Sequence, residues 1–233
     1  MSKLEKPWIT DLPKNHLIAE FSVWSADLAR LADDLQRVDR HVDILHIDVA
    51  DGHFAPTMLF FPDLVAAVRK VSSRPIHVHL MVADTIVLSQ IEQFADAGSD
   101  LISIHLENEA VADAALDLLE RRNVAAGMVL QVETPVGAVE KFIPRLDFVT
   151  LLGTAIGVKG QGLDPNAGAR LQEARGLIAK SGGTHRVVLA ADGGIREHTV
   201  PLLRQAGAQT VVLGSLAFNA PSLEERMAWL RAL

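Results

Sequence analysis

Residues 44–54 read ILHIDVADGHF, an apolar and β-branched run broken by His46, Asp48, Asp51 and His53. Its first half has the makings of a buried β-strand. Burying an unpaired charge is costly, so these ionisable side chains need a partner, a metal ion or an exit to solvent. Side chains two apart on a strand share a face. His46 and Asp48 therefore point one way, and Ile47 and Val49 the other. Such a strand either ends in water or ends in an active site.

Similar runs recur along the whole chain. They lie at 17–22, 75–81, 100–105, 124–130, 147–152, 186–191 and 210–214, besides the opening strand at 43–49. Amphipathic stretches separate them, among them DLARLADDLQRV (27–38), IVLSQIEQFADAG (86–98), EAVADAALDLLERR (109–122) and VPLLRQAGA (200–208). Their apolar residues recur three or four apart, which predicts helices. With a last helix near 222–232, this makes eight strand-helix units. Right-handed β-α-β repetition gives a parallel sheet, and eight units suit closure into a (β/α)8 TIM barrel rather than an open doubly wound sheet. No linker or low-complexity tract interrupts the pattern, so residues 1–233 are expected to form one barrel domain.

Composition narrows the function. The net charge is −7 with no basic run, which argues against a nucleic-acid surface. There is no cysteine, hence no disulfide, thiolate metal site or cysteine nucleophile, in keeping with a reducing compartment. The start, MSKLEKPWITDLPKNH, lacks the apolar segment of a signal peptide. No apolar stretch approaches the roughly 18 residues that span a bilayer, so no membrane partner is expected and a cytoplasmic location is.

In a barrel of this kind chemistry gathers where strands end and loops begin. His46 and Asp48 face the mouth at the end of the second strand, His79 ends the third, and Asp192 ends the seventh. Two imidazoles and two carboxylates suit one divalent cation such as zinc, iron(II) or manganese. His77 shares a face with His79 but lies deeper, which favours a structural role, while His105 at the end of the fourth strand is open to either reading. Glycine marks the other side of the mouth: GVKGQG (157–162), DGG (192–194) and GS (214–215) follow the sixth, seventh and eighth strands. Backbone N–H groups in such loops can approach a phosphate closely.

The blocks FSVWSADLARL, HIDVADGHFAP, HVHLMV, ADGGI and VVLGSLAF resemble, in this order, those of the ribulose-phosphate 3-epimerase family. The resemblance spans nearly the whole chain. It implies a barrel of the ribulose-phosphate-binding type and a metal held by His46, Asp48, His79 and Asp192, with Asp48 and Asp192 also as the catalytic acid/base pair. It further implies that Ser22, His79, Met81, Gly160, Gln161, Gly193, Gly194, Gly214 and Ser215 meet the substrate, a phosphorylated ketose. Dimers or larger rings are the family's habit, so a homo-oligomer is expected. Two departures touch the substrate side: Ala50 stands where the family has a pocket-lining methionine, and the loop at 153–162 carries Lys159, a further candidate contact.

The expected activity is inversion of C3 in a ketose phosphate, D-ribulose 5-phosphate to D-xylulose 5-phosphate in the leading case, through an enediolate. Hexulose or tetrulose phosphates are the alternative substrates. A decarboxylase of the orotidine-phosphate type is disfavoured, because Asp48-Val49-Ala50-Asp51 lacks the lysine of the D-x-K-x-x-D motif. A metal-dependent hydrolase, or a barrel that only binds sugar phosphate, are the remaining readings.

Overall fold

The computed structural model describes residues 6–182 and 185–233. Its strands are β1 (Ile18–Ser22), β2 (Ile44–Asp51), β3 (Met58–Leu59), β4 (Ile76–Met81), β5 (Leu101–His105), β6 (Ala125–Leu130), β7 (Phe148–Leu152), β8 (Val188–Asp192) and β9 (Thr210–Leu213). All except β3 pair in parallel, in the order β1-β9-β8-β7-β6-β5-β4-β2, and β1 pairs with β2 to close the barrel. The short β3 is an antiparallel appendage on the end of β2. Each expected strand is present, within about two residues at either end.

The helices are α1 (Pro7–Thr10), α2 (Leu31–Val38), α3 (Pro62–Val71), α4 (Asp84–Asp96), α5 (Glu109–Arg121), α6 (Ala167–Lys180), α7 (Val200–Ala206), α8 (Ser215–Phe218) and α9 (Leu223–Arg231). One of the eight expected helical connections takes another form. Between β6 and β7 the chain runs as a 3-10 segment, Val136–Arg145. Pro144 within it has no N–H to give, so a regular α-helix cannot be sustained there. Among the described residues no helix is long and apolar enough to cross a membrane.

The period of two along each strand sorts the interior. Phe21, Leu45, Ile47, Val49, Val78, Leu80, Ile102 and Ile104 face outward, into one large apolar cluster with the helices. The inward positions form layers. At the bottom, Ile18, Ile44, Leu101, Ala125, Phe148 and Val188 make an apolar plug with Ile9 and Leu12 of the N-terminal segment. Arg186 fastens that segment by donating to the carbonyls of Ile9, Leu12 and Pro13. One layer up the lining turns polar, with buried Glu20, His77, Ser103, Thr150 and Thr210. The next layer carries Ser22, Asp48, His79, His105 and Asp192. The polar strand ends therefore rest on a second polar layer, and that layer on an apolar floor.

The opening stretch now has its answer. His46 and Asp48 face inward and find partners there. Asp51 leaves the barrel and organises the chain beyond it, accepting hydrogen bonds from the backbone N–H groups of His53 (2.8 Å), Phe54 (2.8 Å) and Ala83 (2.7 Å). These bonds outweigh its partial burial and hold its carboxyl below the usual range. Asp51→Ala takes the acceptor from the part-buried N–H groups of Phe54 and Ala83, and we expect a stability loss of about 1–3 kcal/mol in urea unfolding. His53 is exposed.

Candidate active site

Strand register brings the site together. In the β2–β4 pair, His46 sits opposite His77 and Asp48 opposite His79, while β1 places Ser22 opposite His46. Asp192 arrives from β8, across the barrel. One donor atom each from His46, Asp48, His79 and Asp192 lies within 4.8 Å of the other three. His46 Nε2 is 3.2 Å from Asp48 Oδ1 and 3.9 Å from Asp192 Oδ2. His79 Nδ1 is 3.1 Å and 3.8 Å from the same two oxygens.

The electrostatics follow from this crowding. Burial works against the Asp48 carboxylate, but the charges and hydrogen bonds of His46 and His79 outweigh it and hold its pKa far below the usual range. Burial raises the Asp192 pKa and the adjacent Asp48 raises it further, against the pull of His46. Burial would depress His46, yet Asp48 and Glu20 raise it well above the ordinary imidazole value. A cation held between these two imidazoles and two carboxylates would compete with a proton for the same place. Two nitrogens and two oxygens in a small cluster fit a divalent transition metal or zinc.

Each imidazole is backed by a carboxylate. Glu20 lies beneath His46, its Oε2 3.0 Å from Nδ1. Behind His79 the relay is longer: its Nε2 is 2.8 Å from His105 Nε2, and His105 Nδ1 is 3.0 Å from Glu107 Oε2. Glu107 also accepts from Thr134 Oγ1 and from the Gln131 N–H. Burial pulls the His105 pKa down to about 4, so it stays neutral and can accept from His79 while donating to Glu107. Sequence reasoning left His105 undecided and passed over Glu20 and Glu107. The available signal for Glu20 was a charge in the middle of the apolar run LIAEFS, on the same face as Ser22.

Above this cluster opens a cavity of about 540 Å³. Of the expected contacts, Ser22, Asp48, His79, Met81, Lys159, Gly160, Gln161, Asp192, Gly193, Gly194, Gly214 and Ser215 all line it, joined by Trp24, Arg196 and Asn219. His46 is fully buried below the floor. Several of these residues also serve the fold. Ser22 donates to Asp48 Oδ2 (2.9 Å) and so orients the carboxylate. Gln161 Nε2 braces its own loop against the carbonyls of Ala155 and Val158. Lys159 reaches across the mouth, donating to the Trp24 carbonyl (2.7 Å) with its ammonium 4.4 Å from that ring.

Ala50 is placed differently from the expectation. It is not among the residues that line the cavity. It packs instead in a small cluster with Ala55, Met81, Phe54, Leu59 and Ile156. Met81 and Ile156 face the cavity as well as this cluster.

Comparisons with known proteins give the family. Residues 18–218 match the family model described as the ribulose-phosphate 3 epimerase family. The chain belongs to the ribulose-phosphate 3-epimerase family. The ribulose-phosphate 3-epimerase of Bacillus subtilis is 33% identical over 211 residues, covering 90% of this chain and 96% of the relative. That of Escherichia coli is 33% identical over 223 residues, covering 94% and 96%. In fold alone, the chain resembles a 3-hexulose-6-phosphate synthase (TM-score 0.66, 17% identity, covering 93% of this chain and 99% of the other). It likewise resembles orotidine 5'-phosphate decarboxylase from Pyrococcus horikoshii (TM-score 0.62, 13% identity, covering 92% and 97%).

Proposed function

We propose that this protein is a metal-dependent epimerase that inverts C3 of a ketose phosphate, with D-ribulose 5-phosphate as the leading substrate. The observation that carries the reading is the convergence of Asp48, His79 and Asp192 at the floor of an open cavity, with His46 just beneath them, in a chain of this family. These four residues would hold the cation. Its chemical contribution is positive charge beside the substrate oxygens, which favours removal of a proton from the neighbouring carbon.

The chain's own residues do the rest. Asp48, ionised and held by Ser22, His46 and His79, takes the proton from C3. Asp192, which comes from β8 across the barrel, delivers one to the opposite face. The roles exchange when the reaction runs backward.

The glycine-rich loops beyond β7, β8 and β9 would bind the phosphate, helped by the first N–H groups of α8, which have no partner within the helix. Gly194 and Gly214 test this differently. At Gly194, φ is +69° and a Cβ would lie 2.8 Å from Leu163 Cα, so a side chain there disturbs the fold as well as any ligand. At Gly214 the nearest obstacle is the Ser25 hydroxyl, which can rotate away. We expect Gly214→Val to raise KM for the sugar phosphate about tenfold or more with a small change in Tm, and Gly194→Val to lower Tm substantially. Unchanged KM in Gly214→Val would remove that loop from phosphate recognition.

The reaction itself is tested by incubating ketose phosphates in heavy water and following deuterium at the carbon beside the ketone by NMR. The substrate panel should include tetrulose, pentulose and hexulose phosphates. Exchange with none of them would overturn the epimerase reading. Faster exchange with a four- or six-carbon sugar would keep the chemistry and change the substrate.

A further inference from the structure

We propose that Glu20 is a positioning residue for the metal centre: from the polar layer below, it holds His46 with a proton on Nδ1, so that Nε2 is turned toward the cation. This rests on reading His46, Asp48, His79 and Asp192 as the cation site. Glu20 is wholly buried in the middle of β1. Its Oε2 is 3.0 Å from His46 Nδ1 and 2.7 Å from His77 Nδ1, and its Oε1 accepts from Thr210 Oγ1 at 3.1 Å. A carboxylate only accepts, so both imidazoles present an Nδ1–H to it. His77 Nε2 then accepts from Ser103 Oγ (2.7 Å). Ser103 fits there because Gly127 on the adjoining strand has no Cβ, which would collide with that hydroxyl.

The network closes on itself, and His46 Nε2 is the one imidazole nitrogen in it that faces the site above. An Nδ1–H bonded to a carboxylate fixes the ring, selects the tautomer and makes the other nitrogen a better ligand. Glu20, His46 and His77 also have donor atoms within 4.8 Å of one another, the spacing of a second cation site. The contacts of 3.0 and 2.7 Å are hydrogen-bond lengths, and Ser103 occupies the other nitrogen of His77, which favours the supporting role.

The test compares wild type, Glu20→Gln and Glu20→Ala for zinc affinity, by competition with a chromophoric chelator, and for Tm in metal-free and zinc-loaded forms. Glutamine keeps the shape and one acceptor but not the carboxylate. We expect zinc to bind about 10–100-fold more weakly to both variants, with Glu20→Gln close to wild type in metal-free Tm. A role in folding alone would instead leave the zinc affinity of Glu20→Gln unchanged.

A measurement on the wild type covers the case of a variant that does not fold. In cadmium-113-loaded protein, histidine nitrogen NMR should show His46 coupled to the ion through Nε2 and protonated at Nδ1. Coupling through Nδ1, wild-type affinity in Glu20→Gln, or two zinc ions per chain would each overturn the proposal. If the wild type takes up no divalent ion, the cation-site reading falls first and this one with it.

Discussion

Asp192→Asn should leave a folded protein whose turnover is at least about 10²-fold below wild type, the usual scale for removing a general acid or base. The substitution preserves shape and removes the group that exchanges a proton with carbon. Asp192 is the cleaner of the two aspartates to test, because its Oδ2 stands 3.8–3.9 Å from the imidazoles rather than in direct hydrogen bonds. Asp48→Asn should lose as much or more. It also replaces an acceptor shared by Ser22, His46 and His79 with an amide that offers a donor to some of them. Bound-metal content separates the two causes: Asp192→Asn should lose turnover while retaining more ion than Asp48→Asn. Either variant should still exchange solvent deuterium into one epimer, since one carboxylate remains. Turnover near wild type in Asp192→Asn would remove it from the mechanism.

Removing the ion should be at least as damaging. Dialysis against a chelator should bring epimerisation to background, and adding back zinc, iron(II) or manganese should restore it, the most effective ion identifying the native one. His79→Ala should not retain the ion, because losing one of four ligands exceeds the roughly 10–100-fold effect of losing a supporting contact. His46→Ala carries a second consequence. It takes away the hydrogen-bond partner that Glu20 and Asp48 share, and leaving buried polar groups a partner short costs about 1–3 kcal/mol. His46→Ala should therefore lose both metal and stability, and His79→Ala chiefly metal. Full activity in protein stripped of metal would overturn the cation reading for all four residues.

Much of this was legible along the chain. The alternation of strands and helices and the polar tips of the strands are local patterns, and local rules read them. A period of two assigned His46 and Asp48 to one face and Ile47 and Val49 to the other, and the structure agrees. The 3-10 segment after β6 was missed because the repeat of eight strand-helix units implied a helix in a stretch that prolines bound and interrupt.

The partners were not legible, and the reason is geometric. A period says which face a side chain takes but not which residue it meets across a closed barrel. Glu20 meets Thr210 across 190 positions and His77 across 57, and only closure and register bring them together. The same holds for His79 with His105, for Lys159 bridging to Trp24, and for Gly194 against Leu163. Ala50 is the sharpest case. Its place on β2 is a local fact, but whether it faces ligand or neighbour depends on where the chain from β2 to β3 and Ile156 come to rest. Local chemistry thus determined which residues end the strands, and tertiary packing alone decided which of them hold one another in place.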